Sequence, residues 1–142
     1  MESAILGVVL DSSSVITAER RKLPVSQLIE AIQTAHGEVE VSLSPVTVAE
    51  LVHGIYRAKS PEASRRRRAY IEELVDLVPI HPATKQTAFL VGEIQGKEAS
   101  TGNVLPFSDL MIAAAAIEQG YAILTENLRH FRKIPGVTVL TL

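Results

Sequence analysis

Ile5 to Leu10 is a short apolar run with β-branched members, and Asp11 with three serines stops it. A run this short and this apolar reads as a strand buried on both faces, followed by a turn. Strands of that kind belong to sheets covered by helices on either side. The rest of the chain supplies the partners. Val39 to Leu43, Val78 to Ile80, Ala122 to Thr125 and Val137 to Leu140 read as four further strands. Helices fit between them: Ser13 to Arg20, Val25 to His36 with Gly37 as a stop, and one opening at Pro45 with Ser44 as its cap. Others fit Pro61 to about Asp76, Pro82 to about Glu98, and Asp109 to Gln119 before Gly120. Glu126 to Phe131 reads as a short turn or helix. Val48, Leu51, Val52 and Ile55 mark one inner helix face, and Ala88, Val91 and Ile94 another. This alternation predicts an α/β fold with a mainly parallel sheet of four to five strands flanked by helices, joined by right-handed crossovers.

A length of 142 residues fits one domain, residues 1–142. With 46% hydrophobic and 21% charged residues the chain has the composition of an ordinary folded protein. There is no cysteine, which excludes disulfides, thiolate metal sites and cysteine nucleophiles and fits a reducing cytoplasm. The apolar run at the start is too short to span a membrane and lacks a signal peptide's pattern, so a cytoplasmic chain without membrane contact is expected. The net charge of −2 gives no overall attraction for nucleic acid. Any such contact has to come from local patches such as Arg65 to Arg68. Four consecutive helical residues cover too wide an arc to face one ligand together, and Glu62, Glu72 and Glu73 lie near enough in sequence to pair with them.

In open α/β sheets, ligands bind beyond the carboxyl ends of the strands. Asp11 follows the first strand, Glu50 lies two turns into the helix after the second, Asp109 opens the helix feeding the fourth, and Asn127 stands just past it. The chain has only three aspartates, and two of them fall at these places. Gathered carboxylates repel one another and raise each other's pKa, so such a site calls for a cation. Oxygen ligands without cysteine or clustered histidine favour Mg²⁺, with Mn²⁺ as the alternative. A carboxylate-bound Mg²⁺ keeps waters, accepts phosphate oxygens and stabilises charge building on phosphorus, so phosphodiester hydrolysis is the natural reaction. Simpler roles stand beside these. Asp11 suits a helix cap, Asp109 suits the helix dipole, and Asn127 is common in turns. Glu50 is flanked by apolar positions that place it on a largely inward face, where an unpaired carboxylate is rare. His53 stands three residues after Glu50, a weak metal-like spacing, and His130 beside Phe131 fits a structural or rim position.

The sequence resembles a PIN-domain ribonuclease of the VapC toxin type along essentially its whole length. Four segments carry the resemblance in order: Val8 to Ser13, Leu43 to Leu51, Pro106 to Ala114, and Leu124 to Asn127 with His130-Phe131 and Ile134 to Val137. The resemblance implies a single PIN-like (Rossmann-like) domain and a Mg²⁺-dependent endoribonuclease, the toxin of a type II toxin–antitoxin pair. It implies that Asp11, Glu50 and Asp109 form the acidic metal site, with Asn127 where many relatives have a fourth aspartate. Asn127 offers a carbonyl oxygen without charge. Adjacent Glu126 points the other way if the segment is extended. Ser13 and Thr125 are expected to position a metal water or phosphate, although Ser13 also suits local turn bonding. Three carboxylates carry a formal −3, so one firmly held Mg²⁺ is expected, any second arriving with RNA. The implied partners are RNA, a cognate antitoxin whose tail enters the acidic site, and a second copy in a homodimer. The run Ala113 to Ala116 suits close helix packing.

Two other classes share parts of this pattern. A noncatalytic PIN-like module would bind RNA or protein without cutting, and Asn127 in place of an acid keeps that alternative open. Receiver and haloacid-dehalogenase phosphotransfer proteins also place an aspartate after strand one. The first expects further acids beside it and a late lysine. The second expects an aspartate where this chain has Ser13.

Overall fold

The computed structural model describes residues 5–142. Its elements are β1 (Gly7–Leu10), α1 (Ser12–Arg20), α2 (Val25–His36), β2 (Glu40–Leu43), α3 (Pro45–Tyr56), α4 (Pro61–Leu77), α5 (Lys85–Ala99), α6 (Phe107–Gln119), β3 (Ala122–Leu124), α7 (Leu128–Phe131) and β4 (Val139–Leu140). The four strands form one parallel sheet in the order β2-β1-β3-β4. The expected α/β parallel fold is therefore what the chain adopts.

Alternation along β1 divides the core between two faces. Val8 and Leu10 pack with Val15, Leu28, Ile32, Leu51, Ile55 and Leu74, which come from α1 to α4. Val9 and Ile123 face the other way and pack with Val91 of α5, the alanines of α6 and Phe131 of α7. Ala113 to Ala116 are all buried there, so the alanine run is a packing surface within the protomer, where small side chains let α6 lie close to its neighbours.

The helix starts follow capping chemistry. Ser44 Oγ accepts from Val46 N–H at 3.3 Å, with Pro45 as the first helical residue. Ser60 Oγ accepts from Ala63 N–H at 3.1 Å before Pro61. Gly37 and Gly120, the expected stops, end α2 and α6, and Gly120 adopts the left-handed conformation that glycine tolerates best.

Four expectations are corrected. Val78 to Ile80 is not a strand: Val78 ends α4, and Ile80 makes a single parallel bridge to Leu43. Pro79 lies inside this segment and Pro82 just beyond it, both without N–H donors, so the ladder cannot extend. The helix expected from Pro82 opens at Lys85, because Thr84 and Thr87 form a reciprocal capping box. Its inner face is Thr87 and Val91, with Ile94 half-buried, whereas Ala88 is exposed. Glu50 is likewise exposed; Thr47, Leu51 and Ile55 take the inward positions of α3.

Candidate active site

Leaving β1, the chain passes to β2 on one side of the sheet. The later strands β3 and β4 lie on the other. This reversal puts a crevice between the carboxyl ends of β1 and β3, the usual ligand position in such sheets. Asp11 follows β1 and Thr125 follows β3. The two strand ends are stitched by Asp11 N–H donating to the Leu124 carbonyl at 2.9 Å.

Asp11 occupies the N-cap position of α1, yet its side chain caps nothing. Its carboxylate, in a residue only 5% exposed, instead receives two hydroxyls on one oxygen. Ser13 Oγ donates to Oδ2 at 2.7 Å, and Thr125 Oγ1 donates to the same Oδ2 at 2.8 Å. Each hydroxyl also accepts a backbone N–H. Glu126 donates to Ser13 Oγ at 3.0 Å and Asn127 donates to Thr125 Oγ1 at 2.9 Å. A hydroxyl has one proton, so accepting from the backbone directs that proton at the carboxylate. The capping role is thus set aside, and Ser13 and Thr125 are holders of Asp11. Thr125 is fully buried, while Glu126 and Asn127 are both exposed.

Asp109 lies in the first turn of α6. Its Oδ2 is buried without a hydrogen-bond partner. The nearest cationic candidate is His130 of α7, with Nδ1 at 3.7 Å, beyond hydrogen-bond reach. Burial pushes the Asp109 pKa up; His130 pulls it down, and the charge of Asp11 raises it again. The Glu50 carboxyl is also raised, first by partial burial of its acid group, then by Asp11 and Asp109. Three acids expected to act together therefore do sense one another.

They do not, however, close on a common point. Among the described residues no three His, Asp or Glu side chains form a ready metal-binding group. Carboxylates that repel one another stay apart until a cation neutralises them. Asn127 is joined to the cluster through its backbone N–H, and its side chain is exposed. His53 is exposed as well. The contact between His130 and Asp109 went unread in the sequence, where the pair's 21-residue separation gives no cue. The donor set nonetheless fits a hard dication: carboxylate oxygens, one of them buried and unpartnered.

A parallel α/β domain with carboxylates beyond the strand ends at its topological switch defines a class of acidic-site domains, and comparison with known proteins narrows it. The PIN domain family matches residues 8–137. Ribonuclease VapC1 of Rickettsia felis is 29% identical over 136 residues, 96% of this chain and 96% of that protein. The tRNA(fMet)-specific endonuclease VapC of Salmonella typhimurium is 31% identical over 97 residues, 68% of this chain and 71% of that protein. The crystal structure of DNA-bound VapBC from Salmonella typhimurium matches with a TM-score of 0.78 at 26% identity, covering 96% of this chain and 98% of that one. The chain belongs to the PIN-domain family and groups there with the VapC proteins. No helix among the described residues is long and apolar enough to cross a membrane.

Proposed function

We propose that this protein is a metal-dependent endoribonuclease, the toxin of a type II toxin–antitoxin pair, acting in the cytoplasm on RNA phosphodiester bonds. The observation that carries the reading is the Asp11 network together with the buried, unpartnered Oδ2 of Asp109. Relatives named as a ribonuclease and as a tRNA-specific endonuclease support the reaction class. The neighbour solved as VapBC supports a dedicated antitoxin partner.

Asp11, Glu50 and Asp109 would hold Mg²⁺ or Mn²⁺, with Asn127 at the edge of the site. When bound, the cation supplies an activated water and stabilises charge on the phosphate. The chain's own residues do the positioning. Ser13 and Thr125 hold one oxygen of Asp11 and leave the other as a ligand. Glu50, exposed and with its pKa raised by partial burial and by Asp11 and Asp109, would give a carboxylate ligand whose repulsion from the two aspartates the cation would relieve. Three carboxylates against one dication leave a residual negative charge, so a second ion would come only with RNA. The protein is also proposed to be a homodimer.

The test is cleavage of total cellular RNA by the purified protein with Mg²⁺ and with chelator, beside Asp11→Asn and Asp109→Asn. Discrete fragments that need the metal and both aspartates are expected, with activity lost by at least 100-fold in either variant, the scale of removing a group that stabilises transition-state charge. Cleavage that survives in chelator, or in both variants, would overturn the reading. RNA binding without cleavage would favour the noncatalytic alternative, which the uncharged Asn127 makes specific.

A further inference from the structure

The arginine run of α4 is not a uniform solvated surface. Arg65 pairs with Glu62 at 3.5 Å, both well exposed. Arg68 lies over the ring of Tyr56 at 5.9 Å. Arg67 alone of the four is half-buried, and it turns inward. Its Nη1 donates to the Gly54 carbonyl at 2.7 Å, and the same carbonyl accepts the backbone N–H of Arg57 at 3.3 Å. Arg67 and Arg57 thus meet at the last turn of α3, where unpaired carbonyls favour cations.

Together with Arg20 at the end of α1, they line a cleft of about 140 Å³ between α1, α3 and α4. Its floor is apolar, built by Val15, Leu51 and Ile71. The half-buried Arg67 guanidinium over this floor lies in a lower effective dielectric than on open surface, which strengthens its attraction for an anion. Glu50 also lines this cleft and is the residue that the cleft shares with the acidic site. An adjoining groove continues it along α4 and adds Lys22 and Arg66. Over the two, five cations face three carboxylates, Glu19, Glu50 and Glu73. That is a net positive strip on a molecule whose total charge is −2.

We infer that this cleft is a binding site for an RNA phosphodiester flanking the scissile one, with Arg20, Arg57 and Arg67 as its phosphate contacts. A strand whose scissile phosphate lies at the carboxylates needs somewhere for the neighbouring phosphates to go, and the strip beginning at Glu50 provides it. Planar, forked donors suit phosphate oxygens. The inference rests on the nuclease reading of the adjacent site.

The test uses full-length protein carrying Asp11→Asn, so that RNA is bound and not cut, with labelled single-stranded oligouridine as the probe. Binding is measured over a range of salt concentrations for this parent and with Arg20→Gln, Arg57→Gln or Arg67→Gln added. Arg20 and Arg57 are exposed and spare the fold; Arg67→Lys controls for the lost Gly54 bond. Each arginine removed should weaken binding and lower the salt slope by about 0.7, the value for one phosphate contact on a single strand. Arg65→Gln should change neither. In the cleaving protein the same changes should raise KM and leave kcat nearly as it was. Unchanged affinity and slope with Arg20→Gln and Arg57→Gln would overturn the inference, as would failure of the parent to bind oligouridine. In both cases metal-dependent cleavage of cellular RNA would still uphold the nuclease reading, and its absence would remove both. Loss of polyglutamate binding with unchanged oligouridine binding would overturn the inference in favour of an acidic protein segment.

Discussion

Asp109 and Glu50 tie stability to protons and cations. Both carboxyls have pKa values raised in the folded protein, chiefly by burial; at Glu50 the charges of Asp11 and Asp109 add to this, and at Asp109 His130 offsets part of it while Asp11 adds to it. The unfolded chain releases these protons at ordinary carboxylate values, while the folded chain still holds them. Their contribution to stability is therefore complete below the ordinary carboxylate range and is lost as pH rises through the raised folded values. In chelator, the wild-type melting temperature should fall across that window. Asp109→Asn should flatten the fall, as thermal unfolding at a series of pH values would show. At neutral pH, Mg²⁺ should raise the wild-type melting temperature by mass action and raise that of Asp109→Asn much less. An equal rise in both would remove Asp109 from the proposed metal site. Asp11 was legible as a polar group beyond the carboxyl end of a buried strand, but the sequence left its helix-cap role open until the structure showed that its side chain caps nothing. Its two holders were only half legible. Ser13 lies two residues away and reads as a local turn. Thr125 is 114 positions distant, and no sequence period connects it to Asp11.

Strand and helix show where sequence patterns hold and where they fail. The apolar runs and the Ser44-Pro45 and Gly120 signals gave β1, β2, β3, α3 and α6 to within a residue or two of their ends. Val78 to Ile80 misled because its two β-branched residues enclose Pro79 and sit between the end of α4 and Pro82, leaving room for one bridge only. Glu50 misled because apolar neighbours on both sides do not fix which way a helical residue faces. Two substitutions probe the elements. Gly7 in β1 lies under the ring of Tyr121, whose atoms come within 2.6 Å of where a Cβ would stand. Gly7→Ala has to push that ring away and should cost about 1–3 kcal/mol, measured by denaturant unfolding. Gly96, exposed in the interior of α5, meets nothing within 4 Å of an added Cβ. Gly96→Ala should stabilise by about 0.5–1 kcal/mol through reduced freedom of the unfolded chain.

At the scale of the molecule, the sheet sorts the helices into two layers, and Glu118 of α6 helps join one layer together. Thr87 Oγ1 of α5 donates to both of its oxygens at 3.0 and 3.1 Å, and His81 Nε2 lies 3.1 Å away. That layer also carries exposed apolar groups, Phe89 on α5 and Phe107 at the start of α6. Sedimentation equilibrium of the isolated protein should give twice the chain mass, as the proposed homodimer requires. A single-chain mass at micromolar concentration would count against it. The link between Asp11 and Thr125 also bears on when activity begins. Asp11 and Ser13 are made early in synthesis, but Thr125, the second hydroxyl that holds the carboxylate, follows Asp11 by 114 positions. For the proposed ribonuclease, the growing chain would thus carry an incompletely held Asp11, and spare the ribosome making it, until Thr125 had been added.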